Sequence, residues 1–209
     1  MKALLILFVI LLFSCPLARA QGEVDAVKGC FSIYKSALLA GNGLEAVEEI
    51  DQNTLDYYKT ILDHTLRSDS AKVASLDFMD KLIVIRVRDL MTLEEVSALD
   101  ESSFFVYAVD NGMIGKEGVA NLELGIVELN GSSAKGQVIA GGQPAPIHFD
   151  FFKEQGNWKI DLTSIFGVSQ AALQKVIADS GMTENEFIFQ VLEMLTGKQP
   201  GKEVWQPMK

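Results

Sequence analysis

The chain has 209 residues, with 28 acidic side chains against 18 basic ones and a formal charge of −10. That balance disfavours nucleic acid and anionic lipid as partners, because both demand clustered Lys and Arg. Its two cysteines and two histidines form no CxxC and no Cys/His cluster, so no metal and no cofactor is expected.

The N-terminus sets the destination of the chain. Lys2 is followed by an apolar run over residues 3–13, then Pro16 and the small-residue ending Ala18-Arg19-Ala20. This is the layout of a secretory signal peptide, and the run is too short to span a bilayer as a permanent helix. Cleavage after Ala20 is expected, giving an exported protein, periplasmic or secreted. The alternative is lipoprotein processing at Leu12-Phe13-Ser14-Cys15, which would leave Cys15 as a lipid anchor. Pro16 directly after that cysteine and the Ala-Arg-Ala ending favour ordinary cleavage. The leader holds Lys2 and Arg19 and no acid, so its removal lowers the charge by two more units, from −10 to −12. No later apolar run reaches membrane-spanning length, and Cys30 is then left without an intramolecular disulfide partner. Cys30 is one helical turn from Val27 and Tyr34, as a buried, inert thiol would be.

Apolar residues at helical spacing then follow in order. Val24, Val27, Phe31, Tyr34 and Leu38 predict a helix over 24–40, stopped by Gly41-Asn42-Gly43. A short helix over 44–50 is expected next. Asn53 or Thr54 can cap another reaching Arg67, with Leu55, Tyr58, Ile61, Leu62 and Leu66 inward. The stripe Val73, Leu76, Met79, Ile83, Val87, Leu90 predicts one long helix over 70–91, although Leu82-Ile83-Val84-Ile85 also suits a buried strand. Thr92-Leu93-Glu94-Glu95 is a capping box, and Asp100 or Ser102 can cap the helix that carries Phe104 and Phe105. Residues 113–118 read as a loop.

Strands are expected from about Val119. Leu122, Leu124 and Ile126 alternate with polar or small residues, and Asn130-Gly131 is a strong hairpin signal. A second strand over 133–140 leads through Gly141-Gly142 to the clearest pattern in the chain. There Ile147, Phe149 and Phe151 alternate with His148, Asp150 and Phe152, and after Gln155-Gly156 the alternation resumes with Trp158, Ile160 and Leu162. Symmetric closure about that turn places Phe151 opposite Ile160, Phe149 opposite Leu162, Asp150 opposite Asp161, Phe152 opposite Lys159 and His148 opposite Thr163. A slip by one residue would expose one apolar set, which fixes this register. Ser169 and the capping box Thr183-Glu184-Asn185-Glu186 then open two helices ending at Gly181 and Gly197. The expected fold is α+β: N-terminal helices, a four-stranded curved antiparallel meander and two C-terminal helices. It forms a single domain over 21–197, with a tail over 198–209 whose Trp205 docks on the body or meets a partner.

Chemistry has few candidates. Opposed carboxylates can raise one another's pKa, so His148 with Asp150 and Asp161 could act as a general acid/base set. A solvated outer sheet face, screened by Lys159, explains the same residues without catalysis. His64 has no second histidine at ligand spacing and reads as a structural residue. G-x-S-x-G, P-loop and HExxH signatures are absent.

Helices followed by a meander whose last hairpin reads Phe149-Asp150-Phe151-Phe152-Lys153-Glu154-Gln155-Gly156-Asn157-Trp158-Lys159-Ile160-Asp161 resemble the nuclear-transport-factor-2-like superfamily of cone-shaped α+β domains, over residues 54–166. The resemblance implies a helix-lined cone with an apolar cavity, against which Phe149, Phe151, Trp158 and Ile160 would hold a ligand. Members include isomerases and dehydratases of small apolar substrates as well as transport and protein-binding modules. Two functions are therefore expected to compete. One is an exported domain binding a protein partner or a small apolar ligand; the other is an isomerase, dehydratase or hydrolase using His148 with Asp150 or Asp161.

Overall fold

Four antiparallel strands lie side by side in chain order: β1 (Leu122–Asn130), β2 (Ser133–Ala140), β3 (Gln143–Glu154) and β4 (Asn157–Asp161). The structure is a computed structural model describing residues 16–114 and 116–209, so Cys15 and most of the expected leader lie outside the described residues. The hairpin register is as the alternation requires: Asp150 faces Asp161, Phe151 faces Ile160 and Phe152 faces Lys159. Gln155 and Gly156 both take positive φ, 50° and 90°, which is the two-residue turn whose twist matches the strands. The ladder stops at Asp161, and the chain then tightens into a 3-10 turn over Leu162–Ile165. The pairs Phe149–Leu162 and His148–Thr163 therefore do not form.

Register shifts between Leu124 and Val127 on β1 and between Gln137 and Ile139 on β2 bend the sheet. At Gly136 the strands and their cover come so close that a Cβ would stand 2.7 Å from Leu124 and 3.0 Å from Phe151. Only glycine leaves those side chains room on the inner face.

Helices cover that inner face. The chain enters through α1 (Pro16–Ala40) and α2 (Gly43–Val47), then α3 (Gln52–Arg67), α4 (Ser70–Ala74) and α5 (Phe78–Leu90). There follow α6 (Leu93–Ser97), α7 (Glu101–Asp110) and the single turn α8 (Glu117–Ala120) before β1, and α9 (Phe166–Ser180) and α10 (Glu184–Thr196) after the sheet. Phe31, Tyr34 and Leu38 of α1, Tyr58 and Ile61 of α3, and Phe104 and Phe105 of α7 are buried with Phe149, Phe151 and Ile160 of the sheet. Phe31 meets Phe149 at 5.5 Å between ring centres, and Tyr58 stands edge-on to Phe105 at 5.2 Å.

Several elements differ from expectation for local reasons. Helix α1 begins at Pro16 rather than Val24, since proline fits the first helical position and Ala18 to Gly22 supply no stop. Asp51, not Asn53 or Thr54, caps α3, accepting the Thr54 N–H at 2.8 Å. The expected long helix over 70–91 is two helices. Ser75 folds its hydroxyl onto the Lys72 carbonyl at 2.7 Å and Asp77 takes extended backbone, so short polar side chains end one helix and open the next. The break turns α5 so that Val84 and Ile85 are fully buried while Leu90 is exposed. A helical turn at 117–120 precedes β1, which starts at Leu122 rather than Val119. Helix α9 starts at Phe166, because the 3-10 turn runs straight into it; Ser169 lies inside the helix and donates to the Ile165 carbonyl. The capping boxes at Thr92 and Thr183 and the Asp100 cap form as read. In the tail, Val204 is buried and Trp205 packs edge-on to Phe189 of α10 at 6.0 Å, so the tail docks on the body.

The two faces of β3 separate in stability. Phe151 has no exposure whereas Phe152 is 39% exposed on the outer face. Phe151→Ala should cost about 3–5 kcal/mol, and Phe152→Ala about 1 kcal/mol or less, read as urea unfolding midpoints with unchanged slope. Equal losses would contradict the register.

Candidate functional site

The outer face of the sheet carries the polar residues that the alternation singled out. His148 is exposed on β3 and pairs in register with Gln137. Asp150 forms an ion pair with Lys135 Nζ at 2.8 Å. Asp161 is buried and accepts three hydrogen bonds, from Asn53 Nδ2 at 3.1 Å, the Thr163 N–H at 2.8 Å and the Thr163 hydroxyl at 2.6 Å. Although opposed across the ladder, the two carboxylates thus have separate partners. Asp161 caps the 3-10 turn that carries the chain from β4 into α9. None of the three side chains lines the apolar cavity described below. His64 lies on α3 with its Nδ1 3.0 Å from the Ser68 hydroxyl, and burial lowers its pKa, as a structural histidine at a helix end would show. Among the described residues no cluster of His, Cys, Asp and Glu could hold a metal ion, and no described helix is long and apolar enough to cross a membrane.

The four aromatic and aliphatic residues expected against a ligand divide. Phe149 reaches a cavity. Phe151 and Ile160 are fully enclosed in the core. Trp158 shares the strand face of Ile160 but sits near the turn of the hairpin, where it lines an open groove of about 520 Å³ against α1. There Glu23 accepts from the Trp158 indole N–H at 2.7 Å and from Lys153 Nζ at 2.7 and 2.8 Å, while Lys153 stands over the indole ring. That groove is the larger concavity, but the Glu23 carboxylate and Lys153 ammonium in it already satisfy each other.

A smaller concavity, about 330 Å³, is lined mostly by apolar and aromatic side chains with a few polar groups among them. Its floor is Phe149 of β3 with Leu122 of β1. Tyr34 of α1 and Tyr57 and Tyr58 of α3 form one wall; Met79, Leu82, Ile83 and Arg86 of α5 form another. Met113, Ile114 and Val119 lie towards α8, and Leu162, Ile165, Phe166 and Ser169 close the side where β4 turns into α9. The break before α5 is what aims Met79, Ile83 and Arg86 here, the second and third lying four and seven residues after the first on one helical face.

Polar groups in this apolar shell are few. The Tyr57 hydroxyl donates to Asp80 Oδ1 at 2.8 Å, and burial raises both the phenol and the carboxyl above their ordinary values. Burial likewise raises Tyr34, with Tyr58 beside it adding to the effect. Neither the Tyr34 nor the Tyr58 hydroxyl makes a hydrogen bond among the described residues. Arg86 is half-buried, its Nε is enclosed without a hydrogen-bond partner, and desolvation lowers its pKa. Arg86 and the three tyrosines were not singled out in the sequence. Tyr34 and Tyr58 were visible only as members of inner helical stripes, and Arg86, directly after the apolar run Leu82-Ile83-Val84-Ile85, belonged to no pattern.

Comparison with protein-family models, curated proteins and solved structures finds no match to this chain.

Cys30 lies at the edge of the other groove, yet it is 5% exposed and its Sγ faces the Glu49 carbonyl at 3.6 Å. Burial pushes the thiol far up, and the nearby Glu49 pushes the same way. Iodoacetamide should leave Cys30 unmodified in the folded protein at neutral pH and alkylate it fully in urea. Rapid alkylation of the folded protein, followed by mass spectrometry, would contradict this burial.

Proposed function

We propose that the chain is an exported domain that binds a small apolar ligand in the cavity bounded by α1, α3, α5, β3 and the start of α9. The observation that carries the reading is the cavity itself: 330 Å³ walled by Phe149, Met79, Leu82, Ile83, Ile114 and Ile165, whereas an ordinary core fills such space. Helices laid over the inner face of a bent meander support the proposed relation to the nuclear-transport-factor-2-like cone. Export rests on the leader layout of residues 1–20.

The alternative, an isomerase, dehydratase or hydrolase reaction, requires an acid or base facing the substrate. His148, Asp150 and Asp161 lie away from the cavity, no carboxylate or histidine lines it to serve as the base, and burial holds its three tyrosines in the protonated form. Binding is therefore the reading that the geometry supports best.

The whole chain, expressed with its leader and purified as the host processes it, should bind decanol with one molecule per chain by native mass spectrometry. At a hundredfold excess over Kd the melting temperature should rise by about 5–10 °C. Ile83→Trp, which fills the cavity, should fold and lose the adduct. A wild-type protein with neither adduct nor stabilisation would overturn the proposal.

A further inference from the structure

The cavity has a net charge that its own walls do not balance. Of its lining side chains Arg86 is the one ionised at neutral pH. Its Nε is enclosed and unpartnered, and no described residue forms an ion pair or hydrogen bond with the guanidinium. A half-buried cation whose enclosed donor has no partner is costly, because water no longer solvates that donor and no protein acceptor replaces it. The contrast with Arg88, two residues on and therefore on another face of α5, is direct. Arg88 donates to the carbonyls of Thr65, His64, Ser68 and Val204 at 2.7–3.1 Å and is fully engaged. The same helix thus satisfies one arginine with protein oxygens and leaves the other facing an apolar space.

We infer that the ligand of this cavity is a carboxylate amphiphile, its apolar chain on Phe149, Met79 and Ile83 and its carboxylate on the Arg86 guanidinium, with the unpaired Tyr34 and Tyr58 hydroxyls as further donors in the same space. A carboxylate fits the single cation in charge and in the paired geometry of a guanidinium fork. A phosphate monoester, carrying about −1.5 to −2 charges at neutral pH, would leave excess negative charge in a low-dielectric cavity. An amine would add a second cation. The cavity volume, at the low end of ligand sites, holds one medium chain rather than a two-chain lipid.

This inference rests on the cavity being a binding site, and three probes of equal chain length separate the two claims. Decanoate, decanol and decylamine are titrated into the full chain by isothermal calorimetry at neutral pH, each below its micellar concentration. Wild type should bind decanoate roughly 10–100-fold more tightly than decanol, and decylamine most weakly. Arg86→Met, which keeps length and removes charge, should bind decanol as wild type does and lose the preference for decanoate. Its unliganded melting temperature should equal or exceed that of wild type, because an unpaired cation has been removed. Arg86→Lys should retain a reduced preference. Equal affinity of wild type for decanoate and decanol overturns the carboxylate assignment while leaving the cavity intact, as does a preference that survives in Arg86→Met. Failure of all three probes to bind wild type overturns the cavity reading and this inference with it. Should Arg86→Met not fold, the ratio of decanoate to decanol affinity in wild type decides alone.

Discussion

One short parallel bridge between Ile50 and Ile160 holds the helical layer against the sheet. The Ile160 N–H donates to the Glu49 carbonyl at 2.8 Å, and the Asp51 N–H donates back to the Ile160 carbonyl at 3.0 Å. Two residues beyond Ile160 and three beyond Asp51, the Leu162 N–H donates to the Thr54 hydroxyl at 2.9 Å, with Thr54 fully buried. Strand β4 is an edge, and an unpaired edge invites association with other chains; here the linker between α2 and α3 covers it. The same contact sets where α3 starts, because Asp51 caps that helix in the next step of the chain. Tyr57 and Tyr58 then fall over the end of β4, where Leu162 and Ile165 turn away towards α9. The cavity is the space left where the sheet stops and the helices continue.

A second clamp fixes the far end of α3. Arg88 gathers the carbonyls of His64 and Thr65 at the last turn of α3, Ser68 just beyond it, and Val204 in the tail. Carbonyls at a helix C-terminus lack intrahelical donors and carry partial negative charge, so a buried guanidinium is a strong partner for them. Lys81, also buried, pairs with Glu184 in the first turn of α10. Helix α5 is therefore held on one side by α3 and on another by α10 and the tail. Its remaining face, with Met79, Ile83 and Arg86, is the one that looks into the cavity.

The hairpin of β3 and β4 was legible in the sequence because one-sided burial leaves a period-two trace, and a one-residue slip would have exposed Phe151 or Ile160. Caps at Thr92, Asp100 and Thr183 were legible for a similar reason: each is a bond between residues three apart. The break between α4 and α5 was hidden because Ser75 and Asp77 are tolerated in helices; the docking of Phe78 and Ile85 into the core decides against continuity. Trp158 shares its strand face with Ile160, yet α1 crosses the end of the hairpin and Glu23 takes the indole N–H, so facing inward did not mean facing the cavity. Arg86 left no pattern at all. A charge on a helix normally marks the wet side, and only the positions of α3, α8 and α9 around it show that its surroundings are apolar.

The central claim is that the space beside Phe149 is a ligand site and not a packing defect. Methyl-selective NMR of the isoleucine and methionine side chains during titration with decanoate tests it most directly. The account predicts saturable shifts at Met79, Ile83, Met113, Ile114 and Ile165, and none at Ile126 or Met194, which are exposed on the exterior. Shifts centred on Ile126 or Met194, or an unchanged spectrum at saturating decanoate, would contradict it.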